Sequence, residues 1–184
     1  MARINPSSFL SKNGKTIFIR SAETTDAEAI LRAGKAVMAE QIFTLTLPEE
    51  LSFTTEEEAN WISGMNDHPA HLILVATFNE AIIGLLDFSC GHRQRIAHTG
   101  DFGMSVIKPL REEGIGTRLL QALLDWATAH PKLEKVSLKV HSTNDRAQGL
   151  YRKLGFHQEG TLSRDLKYGE NNYVDTVIMS RFVK

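Results

Sequence analysis

The chain predicts a mixed α/β (α+β) fold in three layers, with a mostly antiparallel central sheet of about seven strands flanked by about four helices. Three observations predict it. Runs rich in β-branched and aromatic residues alternate with stretches whose apolar residues keep helical spacing. The middle strands read as an antiparallel meander. A glycine-bearing turn at residues 111–117 then joins a strand to a leucine-rich helix. No linker, internal repeat or low-complexity tract is evident, so a single domain over residues 1–184 is expected.

The elements follow in order. Residues 1–13 are polar and unpatterned, which suggests a loose arm. Residues 16–20 read as a first strand. Thr25 with Glu28 makes a capping box for a helix carrying Ile30, Leu31, Val37 and Met38. Thr55 with Glu58 makes a second box, opening a short helix with Trp61, Ile62 and Met65. Residues 71–78 form a buried strand, Asn79-Glu80 a turn, and residues 81–88 the hairpin partner. A third strand runs over residues 97–107 and Pro109 ends it. The helix beyond Gly116 carries Leu119, Leu120, Leu123, Leu124 and Ala127 on one stripe, and Pro131 stops it. Residues 136–140 alternate as a strand. Asn144 or Thr143 caps a helix bearing Ala147, Leu150, Tyr151 and Leu154, which Gly155 terminates. Two closing strands lie near 158–167 and 173–182, joined through Gly169.

Bulk properties narrow the function. A formal net charge of -1 provides no global basic field for nucleic acid or a membrane surface. Cys90 is the single cysteine, so no internal disulfide forms, and no apolar run approaches the ~20 residues of a membrane span. A cytoplasmic protein with neither nucleic acid nor membrane as partner fits these properties. His68 and His71 are separated by Pro69 and followed by no Cys/His pair, so they read as surface histidines beside a turn, with no metal expected.

Glycines at a strand-to-helix turn bring backbone N–H groups close to a ligand at the positive end of the helix dipole, which suits a phosphate. No Gly-Lys-Ser/Thr follows, as a nucleotide P-loop needs, and Leu119 stands where a dinucleotide fingerprint has its third glycine. Two stretches carry a resemblance. Val106-x-x-Pro109-x-Arg111-x-x-Gly114-Ile115-Gly116-Thr117-x-Leu119-Leu120 resembles the acyl-CoA pyrophosphate loop of the GCN5-related N-acetyltransferase (GNAT) superfamily. Asn144-x-Arg146-Ala147-x-x-Leu150-Tyr151-x-Lys153-Leu154-Gly155-Phe156 resembles that family's second signature, one helix and one strand further on. The closing stretch, Gly169 through Tyr173-x-Asp175-x-x-x-Met179, looks like the branch acting on small amines and protein N-termini.

The resemblance implies a GNAT-like fold and acetyl transfer from acetyl-CoA to a primary amine (small amine, polyamine, amino acid or protein N-terminus). It implies that the backbone of Met104, Ser105, Val106 and Ile107 pairs with the pantetheine arm, as an added strand does. Amides of Gly114, Ile115, Gly116 and Thr117 would hold the pyrophosphate, with Arg111 adding charge. Glu112 belongs to the same loop. Asn144 and Ala147 lie at the pantetheine end, and Arg146 reaches toward the phosphates or adenosine. Tyr151 is the expected acid for the CoA thiolate, whose thiol has a pKa of about 8.5. Asp101 is the first candidate for the base that deprotonates the amine, ahead of His98 and Asp87. Cys90 as an acyl-carrying nucleophile fits less well, since no base is paired with it in the sequence. Members of the family often pair as dimers, so a homodimer is expected by analogy. The rival reading is a non-catalytic acyl-CoA sensor, against which Tyr151 argues.

One departure stands out. The family usually has glycine and a basic residue after the loop arginine, and here Glu112 and Glu113 follow, two carboxylates that should repel a pyrophosphate unless they point outward. Glu49, Glu50, Glu56, Glu57 and Glu58 form a further acidic group, expected either to attract a cationic amine or to serve as a solvated, helix-starting face.

Overall fold

The computed structural model describes residues 3–184. Its first departure from expectation is at the N-terminus. Ser7–Leu10 forms strand β1, which pairs antiparallel with β2 (Thr16–Ser21) from Ser7↔Ile19 to Leu10↔Thr16. The loose arm expected over residues 1–13 is thereby corrected for this stretch, and residues 1–2 lie outside the described residues. A four-residue strand with only one half-buried side chain leaves almost no pattern to read; the ladder with β2 defines it.

Both helix starts shift from the expected boxes. Before α1 (Ala27–Met38) the box is Glu23 with Asp26, and Asp26 also receives a bidentate pair from Arg20 at 2.6 and 2.8 Å. Before α2 (Thr55–Asp67) it is Thr54 with Glu57: Thr54 Oγ1 accepts from the Glu57 N–H at 3.1 Å, and the Glu57 carboxylate accepts from the Thr54 N–H at 2.8 Å. Thr54-x-x-Glu57 and Thr55-x-x-Glu58 satisfy the same pattern, so sequence alone cannot choose between them. The choice leaves Glu58 out of the cap.

The remaining elements are β3 (Leu72–Phe78), β4 (Ala81–Cys90), β5 (Thr99–Val106), α3 (Ile115–Ala129), β6 (Lys135–His141), α4 (Asp145–Lys153), β7 (His157–Gly169) and β8 (Asn172–Phe182). The fold is mixed α/β, with eight strands among the described residues where about seven were expected, β1 being the addition. The chain divides into two compact units, Met1–Ser89 with Gly103–Trp126, and Cys90–Phe102 with Ala127–Lys184.

In the first unit the strands run in the order β1-β2-β3-β4-β5, ending on the C-terminal half of β5. β3 is buried over nearly its whole length, as a strand covered on both faces must be. Ile73 and Val75 on one face join Ile30 of α1 and Ile62 and Met65 of α2 in one apolar cluster. Ala76 sits opposite Gly84 of β4, and a Cβ at Gly84 would lie 3.3 Å from Leu119 of α3, so the other face receives α3. Phe88 meets Trp126 edge-on at 5.7 Å on that unit's α3 segment. His68 and His71 stack at 3.7 Å; His71 is buried, which corrects its expected place on the surface.

In the second unit the order is β5-β6-β8-β7, starting from the N-terminal half of β5. β5 and β6 run parallel from Thr99↔Lys135 to Asp101↔Ser137, and the β6–β8 and β8–β7 ladders are antiparallel. Val136, Leu138, Val177 and Met179 form buried positions of these strands, with Tyr151 and Phe156 from α4 and its exit. Gly155 takes a φ of 82°, as the expected left-handed helix stop requires. Among the described residues no helix is long and apolar enough to cross a membrane.

Candidate active site

The glycine turn of the first unit takes an alternating backbone. Glu112 has φ 68° and Gly114 φ 89°, with Glu113 between them outside the left-handed region. Successive N–H groups in such an alternation converge into a concavity for an anion, and here it runs directly into the N-terminus of α3. Ile115 is fully buried and the leucine stripe behind it is inaccessible, so the helix is anchored while the amides of its first turn have no partner within the helix.

The two glutamates that looked wrong for a phosphate loop have separate explanations. Glu113 turns into the β1–β2 hairpin: it accepts the Asn13 backbone N–H at 3.0 Å and the Asn13 side-chain amide. Burial alone would raise its pKa, yet the Asn13 and Ser11 hydrogen bonds and the Lys15 charge outweigh it and hold the carboxyl below the usual range. Glu113 is therefore a clasp for the loop, committed away from any ligand. Glu112 is exposed and occupies a left-handed position where a non-glycine residue costs about 1–2 kcal/mol.

Arg111 is also spoken for. Its Nη atoms reach both oxygens of Glu40 at 2.7 and 2.6 Å, and its Nε donates to the Val106 carbonyl at 2.9 Å. A guanidinium so paired brings little net charge to a phosphate. A second cation at the loop went unremarked in the sequence: Arg118, in the first turn of α3, lies over the Phe9 ring at 5.4 Å. A basic residue at a helix N-terminus opposes the dipole, and that was the available signal. On β5, the Val106 carbonyl is used by Arg111 and the Ile107 N–H donates to Ile83 O at 3.0 Å, so these two groups are committed within the protein.

In the second unit, Tyr151 is 7% exposed and packed among aromatics. Its ring meets Phe102 at 5.8 Å edge-on and Phe156 at 6.0 Å, and Phe102 meets Phe156 at 5.9 Å. Burial pushes the phenol up to about 12, so it stays protonated across the physiological range. Asn144 caps α4, its Oδ1 accepting the Ala147 N–H at 3.1 Å, which decides the cap against Thr143. Arg146 is exposed on the first turn. Gln148, buried and not singled out beforehand, donates to the carbonyls of His141 and Ser142 at 3.2 and 3.0 Å and so ties α4 to the end of β6.

The carboxylates sort by environment. Asp101 is exposed, opposite Ser137 in the β5–β6 ladder. His98 is exposed, and its carbonyl is taken by the N–H groups of Glu134 and Lys135 at 2.8 and 3.2 Å. Asp87 differs: burial of its carboxyl raises the pKa to about 6. Burial likewise raises Glu58, with the charge of Asp87 adding to it. Glu57 and Glu50 are occupied as helix-start acceptors for Thr54 and Leu47. Of the acidic group, Glu50 and Glu57 are therefore caps, Glu49 and Glu56 are exposed, and Glu58 is set apart by burial. Burial raises the Cys90 thiol, which favours the unreactive form.

Comparison with known proteins shows the family. The model of the Acetyltransferase (GNAT) family matches residues 37–156. An L-amino acid N-acetyltransferase, AaaT of Escherichia coli, is 31% identical over 166 residues, covering 90% of this chain and 97% of its own. A GNAT-family acetyltransferase structure from Streptococcus pneumoniae superposes with a TM-score of 0.87 at 27% identity, over 91% of this chain and 99% of its own. The Salmonella typhimurium yncA structure, solved with its cofactor acetyl-CoA, has a TM-score of 0.81 at 19% identity, over 91% and 94% of the two chains.

Proposed function

Because the chain belongs to the GNAT family of acetyltransferases, we propose that it moves the acetyl group of acetyl-CoA to a primary amine by direct attack in a ternary complex. The observation that carries this reading is Tyr151, a phenol of the second signature segment buried against Phe102 and Phe156. The leaving group is a thiolate, and a neutral hydroxyl can hydrogen-bond to the sulfur and give it a proton as the C–S bond breaks; burial keeps that hydroxyl neutral but also makes it a weaker acid. The bound acetyl-CoA supplies the activated acyl group; the chain's residues hold it and manage the protons.

The pyrophosphate sits on the amides of Gly114, Ile115, Gly116 and Thr117, held in place by the Glu113 clasp. The pantetheine arm runs along Met104 and Ser105, where a backbone N–H polarises the thioester carbonyl. Asn144, Arg146 and Ala147 serve the cofactor from α4. A carboxylate accepts the amine proton, with Asp101 and Asp87 as candidates. The acceptor is the amino group of an amino acid or of a protein N-terminus, in keeping with the amino acid acetyltransferase that the chain resembles. The protein works in the cytoplasm, as a homodimer.

The test is thiol release from acetyl-CoA over a panel of free amino acids, N-terminal peptides, polyamines and neutral amines. Turnover concentrated in the first two classes is expected. Equal rates across all classes would refute the acceptor assignment, and no thiol release with any amine would refute transfer itself.

A further inference from the structure

We propose that Asp87, facing the bare backbone of Gly103, is the base that takes the proton of the acceptor ammonium, with Glu58 beside it as a positioning residue. The assignment rests on the acetyltransferase reading above and goes beyond it by choosing between the carboxylates.

Register and space carry the argument. Asp87 lies opposite Ile73 in the β3–β4 ladder, so its side chain shares the face of the sheet that α1 and α2 cover. That face delivers Glu58 from α2. On β5, the neighbour of Asp87 is Gly103: a Cβ there would stand 3.0 Å from Oδ1, 3.7 Å from Cγ and 3.8 Å from Oδ2. Any side chain at 103 would press on the carboxylate, so glycine keeps the ground over the strand open. Gly103 adjoins Met104 and Ser105, the backbone assigned to the thioester end of the cofactor. One or two residues along a strand is about 3–7 Å, which places the carboxylate within reach of an amine attacking there.

The chemical setting agrees. A base works best with a pKa near the working pH, and burial brings Asp87 to about 6. Among the described residues, Glu58 of α2 is a titratable group whose carboxyl senses the charge of Asp87, while β3 and β5 set Ile73 and Gly103 beside it, which do not titrate. Asp101, exposed on β5, lacks this environment.

The steps balance. The ammonium N–H breaks and its proton goes to Asp87, then to water. The freed nitrogen pair forms the C–N bond to the thioester carbon. The adduct sheds a second N–H proton to water as the C–S bond breaks. Tyr151 protonates the departing sulfur and is reprotonated from solvent. Amide, CoA thiol and one net proton result.

Asp87→Asn, Asp101→Asn and Glu58→Gln are compared by the pH profile of kcat/KM, with acetyl-CoA affinity measured by calorimetry on each. The expected result is an acidic limb near pH 6 in the parent protein. Asp87→Asn should abolish that limb and lower kcat/KM by about 10²–10⁴-fold at unchanged acetyl-CoA affinity. Asp101→Asn should retain the limb, and Glu58→Gln should retain it while lowering kcat/KM by less than Asp87→Asn does. If Asp87→Asn keeps the limb and turnover, or if Asp101→Asn is the variant that loses them, the assignment is overturned. Failure of the wider reading looks different: the parent protein would release no thiol with any amine, and the assignment would fall with it.

Discussion

The loop at Arg111–Thr117 and the helix at Asn144–Lys153 are both signature segments, yet they are built on opposite principles. The loop spends its side chains on the protein itself. Arg111 is paired with Glu40, Glu113 with Asn13, and Glu112 sits exposed in a left-handed turn. What remains for a ligand is backbone, and backbone amides hold a phosphate without regard to which side chains flank them. On the helix the backbone is closed by caps, Asn144 at one end and Gly155 at the other, and what remains is a single buried hydroxyl. On the proposed reading, the loop binds through main chain, whereas the helix contributes its chemistry through one side chain. An unfavourable pair of charges is therefore tolerable in the loop, whereas the helix has no such tolerance at Tyr151.

The contrast can be broken most forcefully at Gly114. A valine there must adopt φ 89°, which costs about 1–3 kcal/mol and distorts the concavity. Thermal unfolding should show the loss, and calorimetry a drop in acetyl-CoA affinity of about tenfold or more. Glu112→Gly is the control: it relieves a left-handed residue and should leave stability unchanged or raised. Unchanged acetyl-CoA affinity in Gly114→Val would mean the loop backbone does not hold the cofactor.

Two carboxylates of the first unit draw the line between scaffold and chemistry through opposite pH behaviour. Asp87 has a folded pKa of about 6, above its unfolded value. The folded state therefore binds more protons between those values, and stability falls as pH rises through that window and stays lower above it. Asp87→Asn should then stabilise the protein at pH 8, by up to about 3 kcal/mol, while costing turnover. Urea unfolding at pH 5 and pH 8 checks it; a variant less stable at pH 8 would argue that Asp87 is structural. Glu113 behaves in reverse. Its depressed pKa means that the clasp contributes fully above the ordinary carboxylate range and is lost as pH falls through the folded value. Glu113→Ala should lower Tm at pH 7 and raise KM for acetyl-CoA by about three- to tenfold, with the Tm difference shrinking toward pH 3. The smallest effect belongs to Glu40→Gln, which weakens a pair lying 71 residues apart in sequence and should change KM for acetyl-CoA by about twofold.

Local features were legible in the sequence wherever the chain determines them locally. The Asn79-Glu80 turn carries φ values of 48° and 65°, Gly155 ends its helix in the left-handed region, and the leucine stripe of α3 is buried as spaced. Both signature segments, and with them the family, were legible for the same reason. Long-range partners were not. The Glu113–Asn13 clasp spans 100 residues, and no pattern in either segment announces it. β1 has too little alternation to read alone, and depends on β2. The one-residue slip of the second capping box arises from two equivalent motifs side by side. That slip matters for the site, because it releases Glu58 toward Asp87. The setting of Asp87 was hidden for a related reason: a sequence shows that a carboxylate is present but not how dry its surroundings are.

The division between a loop that binds and a helix that reacts is tested most directly by Tyr151→Phe, measured by calorimetry for acetyl-CoA and by thiol release with the best acceptor. The account predicts an affinity within about threefold of the parent protein and a kcat lowered by about 10²–10³-fold. A variant that keeps its kcat, or that loses affinity in proportion to rate, would contradict it.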